Sequence, residues 1–127
     1  MTKPRLLLVD DDKTTLDGLV RILTRDEYPV SGVLSGSDAL SLLSRKSFDI
    51  IITDLNMPGM NGLALINEVK KRHASMIIVV ITACSSLKAV EDILKTASCD
   101  YYLIKPVDIK ELKVVLKDLW EGRQVIT

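Results

Sequence analysis

The chain has 127 residues, 47% of them hydrophobic, which suffices for one ordinary core, and its 17 basic and 17 acidic residues cancel, so charge gives no pull towards nucleic acid or a membrane surface. Two cysteines exclude a disulfide-framed secreted scaffold. The first apolar run is too short for a signal peptide, and no window approaches the roughly 18 apolar residues of a spanning helix.

In chain order, a first strand over Leu6–Val9 ends on Asp10-Asp11-Asp12, and Leu16, Leu19, Val20 and Leu23 then fall at helical spacing. A second strand, Val30–Leu34, leads to Ser35-Gly36-Ser37-Asp38, a cap for the second helix. The third strand, Asp49–Thr53, runs into Asp54 and a loop from Asn56 to Gly62, with helical spacing resuming at Leu63, Ile66 and Val69. A fourth strand, Ile77–Thr82, precedes a helix carrying Val90, Ile93, Leu94 and Ala97. The fifth strand, Tyr101–Ile104, meets Lys105-Pro106, and the last helix opens with the capping arrangement Asp108-x-x-Glu111 before a stripe of Leu112, Val115, Leu116 and Leu119.

Most of the strands are continuously apolar, as parallel strands covered on both faces must be. The regular (βα)5 alternation predicts a three-layer α/β sandwich. Right-handed crossovers bring the ends of Val9, Thr53 and Thr82 to the same edge of the sheet. The expectation is one reduced, cytoplasmic domain over residues 1–127, with a core of about residues 5–120 and no output domain.

Chemistry concentrates at that edge. Asp12 suits the N-cap of the first helix, but Asp10 and Asp11 exceed what capping needs, and Asp54 beside them adds repulsion that a cation would relieve. Carboxylates and carbonyls suit a hard ion such as Mg2+. A carboxylate facing such an ion can act as a nucleophile towards phosphorus, giving an aspartyl phosphate. Thr82 offers a hydroxyl to the incoming group. Lys105, emerging from the core after Tyr101-Tyr102-Leu103-Ile104, offers an ammonium that pairs with a carboxylate at rest and with a phosphoryl oxygen after reaction.

Leu8-Val9-Asp10-Asp11, Asp54-x-Asn56-Met57-Pro58-x-Met60-x-Gly62, Thr82-Ala83 and Tyr102-x-x-Lys105-Pro106, in this order and with these gaps, resemble the receiver domain of bacterial two-component response regulators. The resemblance implies a flavodoxin-like, doubly wound parallel sheet of order 2-1-3-4-5, which spacing alone does not determine. It implies that Asp54 accepts phosphate from a sensor histidine kinase or phosphotransfer protein. Mg2+, for which Mn2+ could substitute, would be ligated directly by Asp11, with Asp10 acting through water or as a second ligand, and Asp54 and the backbone carbonyl of Asn56 completing the set. Thr82 and Lys105 would contact the phosphoryl group, Ala83, Cys84 and Pro106 would border it, and Tyr102 would be the switch aromatic. The Lys105-Pro106 peptide would be cis. Signal would leave by the face of the fourth helix, fifth strand and fifth helix, towards an output domain or partner, and homodimers through that face are a family habit. Such a domain is a signalling module, not an enzyme, although it assists its own Mg-dependent phosphorylation and dephosphorylation.

Two other functions share parts of this pattern. Haloacid-dehalogenase-type phosphatases also combine Asp, Mg2+, Ser/Thr and Lys, but need an acid two residues after the nucleophile, where this chain has Asn56. Flavodoxins need a Ser/Thr/Gly loop after the first strand, where this chain has three carboxylates. A scaffold that no longer phosphorylates conflicts with the completeness of the site. His73, at the end of Lys70-Lys71-Arg72, reads as a solvated helix end, and Trp120, off the main stripe of the last helix, could pack against a partner or a further domain or, as the favoured reading, cover the helix edge. Where many relatives carry glycine near the end of the fourth helix, this chain has Ala97-Ser98-Cys99.

Overall fold

The computed structural model describes residues 3–55, 62–83 and 99–125, with side chains as far as residue 122. Among these residues the strands are β1 (Leu6–Val9), β2 (Val30–Val33), β3 (Ile50–Asp54), β4 (Ile77–Thr82) and β5 (Tyr101–Ile104). They form one parallel sheet in the order β2-β1-β3-β4-β5. The helices are α1 (Lys13–Arg25), α2 (Gly36–Leu43), α3 (Gly62–Arg72) and a C-terminal helix (Ile109–Val125). The helix expected around Val90 to Ala97 lies outside the described residues, as does Ser98.

Successive strand side chains point to opposite faces, and both faces are covered. Leu6, Leu8, Ile50, Ile52, Val79, Ile81 and Leu103 pack with Leu16, Leu19 and Leu23 of α1 and Leu112, Val115 and Leu116 of the C-terminal helix. Leu7, Val9, Ile51, Ile78 and Val80 pack with Ala39 and Leu43 of α2 and Leu65, Ile66 and Val69 of α3. This two-sided burial is why β1, β3 and β4 are apolar without alternation.

The helix ends follow local chemistry. Asp12 caps α1, its Oδ1 accepting the Thr14 N–H at 3.3 Å. Ser35 caps α2, its Oγ accepting the Asp38 N–H at 3.1 Å. Asp108 accepts the N–H groups of Lys110 and Glu111 at 2.9 and 3.2 Å. At the far end of α1, Glu27 takes the left-handed conformation at φ 69°. Its N–H donates to Thr24 O at 2.9 Å and the Tyr28 N–H to Leu23 O at 3.0 Å, a Schellman ending with glutamate where glycine is usual.

Boundaries differ from expectation by a residue. β2 stops at Val33, leaving Leu34 exposed, and β3 continues through Asp54. α3 begins at Gly62, one residue before the expected apolar spacing, and buries Leu65 as well as Ile66 and Val69. His73 follows the last turn of α3, and Trp120 packs partly against the α1 side of the core. The Lys105–Pro106 peptide is cis.

Candidate functional site

Register assembles the site. β1 and β3 pair Val9 with Thr53, so Asp10 and Asp54, the next residues along, lie side by side. β4 pairs Asp54 with Ile81 on one side and Thr82 with Ile104 on the other, which brings Thr82 and Lys105 to the same edge. Asp10 and Asp54 are each 4% exposed and Thr82 1%. Carboxylate oxygens of Asp10, Asp11 and Asp54 all lie within 4.8 Å of one another, and Asp11 is the exposed member.

Lys105 reaches into this cluster. Its Nζ donates to Asp54 Oδ2 at 2.5 Å and lies 3.7 Å from Asp10 Oδ2. Burial works against its charge, but the hydrogen bond to Asp54 and the charges of Asp54, Asp10 and Asp11 outweigh burial and raise its pKa. Burial pushes the Asp10 carboxyl up, with Asp54 and Asp11 adding to the effect; the Asp12 N–H, donating to Asp10 Oδ1 at 2.9 Å, and Lys105 only partly offset it. Asp12 turns away to its capping role and accepts the Thr15 hydroxyl at 2.6 Å, which lowers its pKa.

Among the described residues, three carboxylates face one ammonium here, an excess of negative charge. The donors are all hard oxygens, and two of the three are buried. That donor set fits Mg2+. Asn56, the expected source of a carbonyl ligand, and Cys84, expected at the rim, lie outside the described residues. Ala83 and Pro106 are exposed beside the site. Tyr102 is half-buried against the α2–α3 side of the core, its ring centroid 6.4 Å from that of Tyr101.

Two residues matter more than their sequence context suggests. Gly62, which reads as a loop glycine, packs against the backbone beneath the acceptor: a Cβ there would sit 2.3 Å from Asp54 O and 2.6 Å from Leu55 Cα. Its N–H donates to Leu55 O at 2.9 Å. The available signal was a glycine placed immediately before helical spacing resumes. Thr53, fully buried, donates its hydroxyl to Asp54 O at 3.0 Å. Beside the acids, a cavity of about 530 Å3 runs between α1 and the Lys105–Val107 segment, lined by Thr14, Thr15, Gly18 and Ile22 among others.

Comparison with known proteins points to one family. The model of the response regulator receiver domain matches residues 6–117. The DNA-binding transcriptional regulator NtrC of Klebsiella pneumoniae is 38% identical over 104 residues, which are 82% of this chain and 22% of that protein. The chain thus spans about a quarter of the length of such relatives. A CheY-like response regulator receiver domain from Methanospirillum hungatei superposes with a TM-score of 0.90 at 25% identity, covering 99% of this chain and all of that one. The response regulator TrrA of Thermotoga maritima, in complex with Mg2+ and BeF, superposes with a TM-score of 0.82 at 30% identity, covering 93% of this chain and 99% of that one. With its doubly wound sheet and its acids gathered at one edge, this chain belongs to the response regulator receiver domain family.

Proposed function

We propose that this receiver domain accepts a phosphoryl group on Asp54 and converts the event into a change on the face formed by the fourth helix, β5 and the C-terminal helix. The observation that carries the proposal is the Lys105 ammonium bridging the buried Asp54 and Asp10 within a three-carboxylate cluster. Structural neighbours include a regulator complexed with Mg2+ and BeF, a pairing of metal and phosphoryl-like group that supports the same use here.

Asp10, Asp11 and Asp54, with the Asn56 carbonyl, would hold Mg2+, which when bound offsets negative charge on the transferred oxygens. An Asp54 carboxylate oxygen attacks the phosphorus of a phosphohistidine. The O–P bond forms as the P–N bond breaks, and the electron pair returns to the imidazole nitrogen, which takes up a proton. Lys105 releases Asp54 Oδ2 and pairs with a phosphoryl oxygen. The Thr82 hydroxyl donates to another, and the half-buried Tyr102 ring turns inward as Thr82 moves. Phosphorylation thereby shifts a pre-existing equilibrium. Water attacking the labile acyl phosphate restores the resting state.

The donor is a sensor histidine kinase or phosphotransfer protein, and the recipient an output domain or partner, in keeping with relatives that are DNA-binding transcriptional regulators. Among the described residues no helix is long and apolar enough to cross a membrane. Intact-mass measurement after incubation with Mg2+ and acetyl phosphate tests the proposal. One added phosphoryl unit is expected, absent in Asp54→Asn and after chelation. Equal uptake by Asp54→Asn would move the acceptor elsewhere.

A further inference from the structure

β5 carries both Tyr102 and the approach to Lys105, yet burial defines its position weakly. It has four residues, lies at the sheet edge beside β4 alone, and buries only Leu103. Tyr101 and Ile104 are 41% and 50% exposed. A strand with so little buried surface is prone to register slippage. A slip of one residue would exchange the faces of Tyr102 and Leu103, which pack on opposite sides of the sheet. It would also carry the Lys105 backbone about 3.3 Å along the strand axis, away from the Asp54 oxygen it now reaches at 2.5 Å.

Among the described residues apolar packing fixes β5 only through Leu103 and part of Tyr102, and hydrogen bonds at its two ends add to it. At its far end the Lys105 N–H donates to Thr82 O at 2.9 Å. At its start Asp100 grips Ile78 twice. The Asp100 N–H donates to Ile78 O at 2.8 Å, and the Ile78 N–H donates to Asp100 Oδ2 at 2.7 Å. The second bond is from a buried backbone amide to a side-chain carboxylate standing where a ladder carbonyl would stand. A carboxylate is a stronger acceptor than a neutral carbonyl, and its reach is set by one short side chain. Both backbone groups of Ile78 are thus bound to a single residue, in the register that pairs Val80 with Tyr102 and Thr82 with Ile104.

We infer that Asp100 pins the register of β5 and through it positions Tyr102 and Lys105 for their parts at Asp54. The positioning role rests on the phosphoacceptor reading; the pin itself does not. Asp100 is exposed, so its replacement leaves the core intact.

The test compares wild type, Asp100→Ala and Asp100→Asn by amide hydrogen exchange, by the 13Cε shift of Lys105 and the ring signals of Tyr102, and by the rate of Asp54 phosphorylation with acetyl phosphate and Mg2+. In Asp100→Ala, Ile78 exchange quickens at least about tenfold, the loss of one charged hydrogen bond. The Lys105 and Tyr102 signals shift, and phosphorylation slows. Asp100→Asn keeps an oxygen acceptor and restores all three. If Asp100→Ala loses cooperative folding, Asp100→Ser, with a shorter and weaker acceptor, is read in the same way. Unchanged Ile78 protection overturns the pin. Lost protection with unmoved Lys105 and Tyr102 signals overturns the positioning role. A wild type that takes up no phosphate defeats the phosphoacceptor reading, and the exchange and shift data still decide the pin.

Discussion

Asp10 lies 4% exposed beside two other carboxylates, and burial raises its pKa from its ordinary value. The folded state therefore holds this proton more tightly than the unfolded chain, whose carboxyl titrates near about 3.9. Without metal, stability tied to Asp10 is greatest below that value and falls as pH rises to the higher folded value. Asp10→Asn keeps an oxygen to accept the Asp12 N–H and removes the charge. In Mg2+-free buffer at neutral pH the variant is expected to melt above wild type, with the gap closing as pH falls towards 3. Thermal melts at the two pH values check this, and an equal gap at both would refute it. Gly62 presents the opposite case, a residue whose smallness protects the acceptor. Gly62→Ala pushes a methyl into backbone that cannot yield. It is expected to cost about 3 kcal/mol, the upper range of overpacking, read as a lower urea midpoint, and to slow labelling of Asp54.

Capping chemistry in this chain is mostly local and therefore legible before folding. Asp12, Ser35 and Asp108 each take the N-cap role their spacing suggests, because the partner N–H groups lie two or three residues away. The end of α1 is different. Glu27 occupies a left-handed position that costs a side chain about 1–2 kcal/mol, and nothing in its sequence marks it. Glu27→Gly is expected to gain about 1 kcal/mol after the added freedom of the unfolded chain is counted, seen as a higher denaturation midpoint. Asp108→Ala is expected to lose about as much. β1, β3 and β4 were legible because burial on both faces leaves their interiors almost wholly apolar, yet β3 extends to Asp54. Its last residue joins the ladder through backbone pairing with Ile81, to which side-chain polarity is indifferent. Leu65 of α3 lay outside the expected stripe for a related reason: α3 buries a wider face than a single row.

Across the molecule, the sheet sandwiched between two apolar layers provides a rigid frame, and one edge collects the charge. Mg2+ binding only the folded cluster should stabilise the whole domain, by about 2.7 kcal/mol at a hundredfold excess over its dissociation constant. The rise in melting temperature should vanish in the double variant Asp10→Asn/Asp11→Asn; persistence there would place the cation elsewhere. The sequence by itself determined the alternation of elements, the capped helix starts and the meeting of Asp10, Asp54, Thr82 and Lys105 at one edge, since periodicity, local hydrogen bonding and crossover handedness are short-range rules. Only the tertiary structure decided that Gly62 must lack a side chain and that Asp100 holds Ile78. Each of these depends on how close two backbones come, and that distance is set when distant segments pack, not by the residues on either side.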